Sequence, residues 1–338
     1  MSLDEARSQQ PTLEQVAARA GVGRGTASRV INGSPQVSER TREVVMQAVR
    51  DLGYVPNQAA KTLVTGHTNT IGLVVPDIAN PFFTSLLKGV QSRARSRGYI
   101  VLLADADNDA SLERDVVREI SHLTAGLIIH PVAAATTDAD LATYASEGHA
   151  VVVNREAENI ASARADLALG LRQAVAHLVA LGHRSIGYLS GSEFSWANRY
   201  RLEVLKADAA AYGIDVTEFG PYSTTAEGGA AALEPVVASG VTAAIAFNDE
   251  MALGMISQMR ARGMTCPADL SIIGGSDFPY ASMISPALTT IRVESNRIGR
   301  AAVDLLVDLI ENPDAEPAQR VALPTGLVVR ESTGIAPS

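Results

Sequence analysis

Two arginines near the N-terminus, Arg24 and Arg29, are separated by Gly25-Thr26-Ala27-Ser28. At helical spacing Arg24, Gly25, Ser28 and Arg29 fall on one face and Ala27, Val30 and Ile31 on the other. Guanidinium and hydroxyl groups arranged this way do not make or break bonds. They recognise acceptors, above all guanine edges and phosphate oxygens. The alternative is an ordinary solvated helix face. The flanking residues favour recognition, because Thr12 to Asn32 reads as two short amphipathic helices broken by Gly21-Val22-Gly23. That is the helix-turn-helix plan for entering a DNA major groove.

These side chains need a small scaffold. Thr12 followed by Gln15 is a capping box that starts the first helix, with Val16, Ala17 and Ala20 on its inner face. Gly21 supplies a left-handed stop. A third helix follows Ser38, buries Val45, Ala48, Val49 and Leu52, and stops at Gly53. After Tyr54-Val55-Pro56, Asn57 can cap a short segment from Gln58 to Val64, which is too brief to be a stable helix by itself.

From Thr70 onward, aliphatic runs alternate with helical patterns: Ile71–Val75, Ile100–Leu103, Gly126–Ile129, Val151–Val153, Ile186–Leu189, Ala243–Phe247 and Leu270–Ile273. Strands separated by helices imply parallel sheets with crossover connections. The units are too many for one ordinary sheet. The expected fold is therefore an all-α helix-turn-helix headpiece followed by an α/β core of two lobes with parallel sheets. A ligand cleft is expected at the carboxyl ends of the strands.

Composition fits this division. Of 338 residues, 46% are hydrophobic and 19% charged, the balance of a folded globular protein. The net charge of -9 argues against nucleic-acid binding until it is divided along the chain. Residues 1–65 carry eight basic and six acidic residues, against 20 basic and 31 acidic in the remainder. The basic excess sits on the headpiece, so DNA affinity must come from a compact contact set rather than a diffuse basic surface. No apolar run approaches the roughly 20 residues of a membrane span, and residues 1–11 lack the apolar stretch of an export signal. The single cysteine, Cys266, excludes an intrachain disulfide. A cytoplasmic protein without membrane contact is the simplest expectation.

Other chemistry is not supported. Gly21, Gly23 and Gly25 follow a helix and not a strand, which excludes a dinucleotide loop. Asp105, Asp107 and Asp109 resemble the start of a calcium loop, but Ala110 and Val116 occupy the positions that need glycine and glutamate. The histidines show no metal-ligand spacing, and there is no nucleophile elbow or phosphate-binding lysine loop. No metal or cofactor is expected.

Seven segments in order carry a family resemblance: Thr12–Asn32, Val37-Ser-Glu-Arg-Thr-Arg42, Leu52-Gly-Tyr-Val-Pro-Asn57, the Thr70–Phe83 stretch, Leu181-Gly-His-Arg-Ser-Ile-Gly-Tyr-Leu189, Asn248-Asp-Glu-Met-Ala-Leu-Gly254 and Pro286-Ala-Leu-Thr-Thr-Ile291. The chain resembles the LacI/GalR family of bacterial transcriptional regulators over nearly its whole length. The resemblance implies a headpiece over 11–56, a hinge helix and linker over 57–66, and a periplasmic-binding-protein-like core over 70–338. The core would form lobe one from about 70–165 plus 293–319, and lobe two from about 166–292 plus 320–338.

By the same resemblance, Arg24, Gly25 and Arg29 are base-reading positions, and Thr26, Ser28 and Asn32 touch phosphates or the neighbouring helix. Gly25 departs from the usual side-chain-bearing residue and gives up one reading position. In the hinge, Asn57 caps, Ala60 allows close helix pairing, Lys61 reaches phosphate and Leu63 wedges into the minor groove; the alternative is a plain linker. The implied effector site comprises Phe82, Phe83, Asn154, Arg155, Ser195, Trp196, Arg201, Tyr222, Asn248, Ser276 and Asp277. Trp196 has a core role as its alternative. Ser276 stands where many relatives carry a carboxylate, which removes an acceptor for a simple hexose.

The expected protein is a homodimeric repressor on a pseudo-palindromic operator, controlled by a sugar, polyol or nucleoside. An activator, or a regulator dependent on a purine or nucleoside co-repressor, is the alternative within this class. The chain ends soon after Val329 without a leucine heptad, from which a dimer and not a tail-assembled tetramer is expected. Rivals of other classes are a two-lobed solute-binding protein, which would need an export signal and would lack Thr12–Asn32, and a sugar-modifying α/β enzyme, which would need a nucleophile or acid/base pair in the cleft.

Overall fold

The computed structural model describes residues 11–32, 34–54, 68–132, 136–146, 148–312, 314 and 318–337. The hinge segment, with Asn57, Ala60, Lys61 and Leu63, lies outside these. The chain divides into two compact units, residues 1–68 and 69–338.

The first unit holds α1 (Leu13–Ala20), α2 (Arg24–Ile31) and α3 (Glu39–Leu52). Thr12 and Gln15 form the reciprocal capping box, with the Thr12 N–H on Gln15 Oε1 at 2.8 Å and the Gln15 N–H on Thr12 Oγ1 at 3.3 Å. Gly21 and Gly53 end α1 and α3 at φ of 62° and 61°, a conformation glycine adopts without strain. Val16, Ala17, Ala27, Val30, Val45 and Ala48 are buried together. So few small side chains make a minimal core, and the caps contribute a large share of its definition.

The second unit contains two six-stranded sheets. Lobe one is built on β1 (Thr70–Val75), β2 (Ile100–Asp105), β3 (Leu127–Ile129), β4 (Ala150–Val153) and β5 (Ala161–Asp166). Its helices are α4 (Pro81–Ser96), α5 (Ala110–Ser121) and α6 (Asp138–Ser146). The chain then enters lobe two, made of α7 (Ala168–Ala180), β6 (Ser185–Leu189), α8 (Trp196–Ala210), β7 (Asp215–Phe219), α9 (Ala226–Ala231), α10 (Leu233–Ala238), β8 (Ala243–Ala246), α11 (Asp249–Ala261), β9 (Ser271–Ser276) and β10 (Thr289–Arg292). It returns to lobe one through α12 (Ser295–Glu311) and β11 (Arg320–Pro324), and crosses a third time into β12 (Gly326–Val328).

The sheet orders are β11-β5-β4-β3-β1-β2 and β12-β10-β9-β8-β6-β7. All pairings are parallel except β12 on β10, an antiparallel edge. The third crossing falls after Pro324 and not at 319, because Arg320–Pro324 pairs with Ser162–Asp166 of lobe one. Five strands escape the sequence pattern. β5 and β7 read Ala-Ser-Ala-Arg-Ala-Asp and Asp-Val-Thr-Glu-Phe, without an aliphatic run, while β10, β11 and β12 are short and take their partners from distant segments.

One close contact fixes how α4 packs in lobe one. Gly89 of α4 faces Gly299 of α12 so tightly that a Cβ on Gly89 would lie 2.0 Å from the Asn296 carbonyl oxygen, and one on Gly299 would lie 2.5 Å from that of Leu86. This packing sets where α4 presents its first turn, which carries Phe82 and Phe83.

Candidate functional site

On the headpiece, burial separates two faces of α2. Ala27 and Val30 are buried against α1 and α3, while Arg24, Gly25, Arg29 and Asn32 are exposed and Thr26 and Ser28 half-buried. Asn32 Nδ2 donates to Ser28 Oγ at 3.3 Å. Arg24 Nη1 lies 3.0 Å from Glu14 Oε1 of α1. The exposed surface therefore offers two guanidinium groups and a hydroxyl–amide pair from one helix, suited to acceptor-rich groove edges.

Between the lobes lies a cavity of about 730 Å³, within the 300–1,000 Å³ range typical of small-molecule sites. Lobe one contributes the first turn of α4, started by Pro81 and capped by Asn80 Oδ1, which accepts the Phe82 N–H at 2.9 Å. Phe82, Phe83 and His130 meet edge to face, with centroid separations of 4.8–5.9 Å. Burial holds the His130 imidazole neutral, with its pKa pulled down to about 4. Asn154, in the left-handed region at φ 55°, follows β4.

Lobe two contributes Ser195, which caps α8 by accepting the Asn198 N–H, followed by Trp196. Trp196 stacks on Tyr200 at 5.2 Å and 8°, with the Arg164 guanidinium 5.7 Å from the indole centroid. Arg201 lies over the Phe247 ring at 4.2 Å. Among the described residues its guanidinium donates to the Ala197 carbonyl at 3.4 Å, which leaves most of its five donors for a ligand. Burial lowers the Arg201 pKa. Asn248 caps α11 through Oδ1 on the Met251 N–H (2.9 Å), and its Nδ2 donates to the Thr224 carbonyl (2.7 Å), which fixes the loop along one wall. Three carboxylates also line the space: Asp77 from lobe one, and Glu227 and Glu250 from lobe two. Burial and then the charges of Asp77, Glu227 and Asp249 raise the Glu250 pKa.

The profile of the lacI family of bacterial regulatory proteins matches residues 12–57, and that of the periplasmic binding protein-like domain matches 175–333. The HTH-type transcriptional regulator CelR of Thermobifida fusca is 36% identical over 343 residues, 96% of this chain and 99% of that one. The chain belongs to the LacI family. The lac repressor dimer bound to operator and the anti-inducer ONPF superimposes with a TM-score of 0.85 at 28% identity, covering 96% of this chain and 99% of that one. The CelR–cellobiose complex does so with 0.71 at 32%, covering 96% and 100%. The protein is accordingly a DNA-binding transcriptional regulator and not an enzyme. Among the described residues, no helix is long and apolar enough to cross a membrane.

In this LacI-family chain, Phe82, Phe83, Asn154, Ser195, Trp196, Arg201, Tyr222, Asn248 and Ser276 line the cavity. Trp196 is half-buried at the wall and is not a core residue. Two expected residues point elsewhere. Arg155 donates Nη1 to the Thr136 carbonyl (2.6 Å) and Nη2 to Asp138 (2.5 Å), so its charge is spent within lobe one. Asp277 adopts φ 57° and takes the Arg292 Nε at 2.6 Å and the Arg330 Nη2 at 2.5 Å, with its side chain only 8% exposed. It braces the β10 crossing and Arg330 near the C-terminus. The missing acceptor expected from Ser276 is replaced from other directions, since Asp77, Glu227 and Glu250 all reach the cavity. Ser276 itself turns its hydroxyl to the Gly275 carbonyl. The sequence reading also passed over Arg164, His130 and Phe247. Arg164 sits on β5, a strand with no aliphatic signature, and His130 directly follows the β3 run.

Proposed function

We propose that this regulator is a cytoplasmic homodimeric repressor of a carbohydrate operon, released from or held on its operator by a neutral sugar bound between the lobes. The observation that carries the reading is the cavity itself. Its walls come from both lobes, they include the aromatic rings of Trp196, Phe82 and Phe83, and Arg201 supplies several open donors. A sugar ring has apolar faces and a rim of hydroxyls, which such walls match. Asp77, Glu227 and Glu250 supply acceptors for hydroxyls and outnumber the cavity's two guanidinium groups, Arg164 and Arg201, which favours an unphosphorylated sugar. The volume leaves room for more than one ring, and cellobiose, the ligand in the CelR complex, supports a disaccharide.

Arg24, Gly25 and Arg29 face the bases of each half-site, with Thr26, Ser28 and Asn32 beside the phosphates. The segment with Asn57, Ala60, Lys61 and Leu63 pairs with its counterpart at the operator centre. Because both lobes hold the ligand, binding changes their angle and hence the favourability of that pairing. A ligand that binds one state about 100-fold better shifts the equilibrium by about 2.7 kcal/mol.

The test is the thermal midpoint of the purified protein against hexoses, pentoses, glucose and galactose disaccharides, nucleosides and sugar phosphates. A ligand at 100 times its dissociation constant adds about 2.7 kcal/mol. A disaccharide that raises the midpoint and changes operator affinity is the expected result. A nucleoside or sugar phosphate as the sole hit would overturn it.

A further inference from the structure

The start of α2 is weakly restrained. Gly23, its N-cap, offers no side-chain cap, and Gly25 follows Arg24, so the arginine is flanked by two glycines. A Cβ at either glycine would meet nothing within 4 Å, so no neighbouring wall confines this turn. Arg24 is 71% exposed, and among the described residues its charged partner is Glu14, across on α1 with Nη1 to Oε1 at 3.0 Å. Glu14 is itself 60% exposed and is not the α1 cap, which is made by Thr12 and Gln15.

A carboxylate on a surface that approaches phosphates repels DNA. Its presence beside the first residue of the recognition helix therefore has to be offset by something it does for Arg24. An arginine side chain loses substantial rotamer freedom when it forms a two-pronged contact, and a carboxylate paired with its guanidinium removes part of that loss beforehand. Exposed in solution, the pair contributes little. Against DNA, with water excluded, the same ion pair is stronger and holds the guanidinium near one place at the α1–α2 contact.

We infer that Glu14 is a specificity-determining residue of this regulator, which positions Arg24 for base reading across the α1–α2 contact. The inference rests on the reading of Arg24 as a base contact. It predicts that Glu14 changes discrimination at one base pair without itself contacting a base.

The experiment is selection from a randomised duplex library with the full-length protein, followed by competition binding of single-base variants of the recovered site. Arg24→Ala locates the base pair that Arg24 reads. Glu14→Gln keeps the size and removes the charge. The expected result is that E14Q loses roughly five- to tenfold of the discrimination at that same pair, leaves other positions and the melting temperature unchanged, and adds nothing on top of R24A. Preserved discrimination in E14Q, with R24A still relaxing its pair, overturns the role of Glu14 and leaves the Arg24 reading intact. Relaxation at a different pair overturns it also, since Glu14 then reads a base of its own. Uniformly tighter binding to every sequence shows simple repulsion and has the same consequence. If R24A relaxes no position, the Arg24 reading fails and this inference with it.

Discussion

Gly89→Ala and Gly25→Ala are the same chemical change in two helices, and the structure assigns them opposite signs. On α4, the added methyl would sit 2.0 Å from the Asn296 carbonyl oxygen and 2.8 Å from its carbonyl carbon. Both are backbone atoms of α12, so no side chain can swing aside and the helices must part by more than about 1 Å to reach van der Waals contact. Overpacking of this kind costs about 1–3 kcal/mol, and more where backbone has to move. The clash is with backbone, so the upper end of about 3 kcal/mol applies; alanine returns about 1 kcal/mol of helix propensity, leaving a net loss of about 2 kcal/mol. For a unit of this size the midpoint should fall by roughly 3–4 °C. On α2, a Gly25 Cβ meets nothing within 4 Å, so the propensity gain stands alone and the headpiece is stabilised by up to about 1 kcal/mol. Calorimetry of the full chain reads the first change, and amide exchange in residues 24–31 reads the second. Because α4 presents Phe82 and Phe83, effector affinity should fall with Gly89→Ala and stay constant with Gly25→Ala. A Gly89→Ala protein with an unchanged or higher midpoint refutes the close-contact argument.

Trp196→Ala should abolish the thermal shift produced by the effector with a small change in the unliganded midpoint. Asp277→Asn should do the reverse, costing about 1–3 kcal/mol of stability by removing the charge paired with the half-buried Arg330, which keeps its bond to the Leu288 carbonyl, while leaving effector affinity within about twofold; equal loss of affinity in both would return Asp277 to the binding site. Leu63→Ala should lower operator affinity and DNA bending and leave the effector shift intact, and unchanged bending would remove the wedge role from Leu63. His130 keeps its proton off down to about pH 4, while the unfolded chain takes one up near 6.5. The unfolded state therefore binds more protons between these values, and the His130 contribution to stability is present above pH 6.5 and is lost as pH falls toward 4. Glu113, Asp249 and Glu250, whose pKa values burial raises, act with the opposite sign. The comparison is hence wild type against His130→Phe: the urea-derived stability of the wild type should fall relative to that of the variant as pH drops from 6.5 to 4, and a constant difference would show that folding does not lower the His130 pKa.

Much of the headpiece is readable because its determinants are local. The Thr12 and Gln15 cap, the Gly21 and Gly53 stops, and the Val16, Ala27 and Val45 positions all follow from spacings of a few residues. The strands that sequence shows are those with aliphatic runs, and the first-turn aromatics Phe82 and Phe83 follow one of them directly. β5 stayed hidden because its residues are small or charged and are buried by segments distant in sequence, paired with β4 and β11 and covered by α12. Arg164 and its place beside Trp196 were hidden with it.

The sequence by itself determined the class of protein, the helix that faces DNA and the turns from which the cavity is built, because each depends on short-range periodicity and on caps within one turn. The tertiary structure alone decided which polar groups face the cavity. Asp277 and Ser276 are adjacent, yet a left-handed turn and an arginine 53 residues away draw Asp277 out of the cavity. Asp77 and Glu250 come from different lobes and share one space. An ion pair or a wall shared between lobes is fixed by segments that meet only on folding, and no local spacing encodes which charge will find which partner.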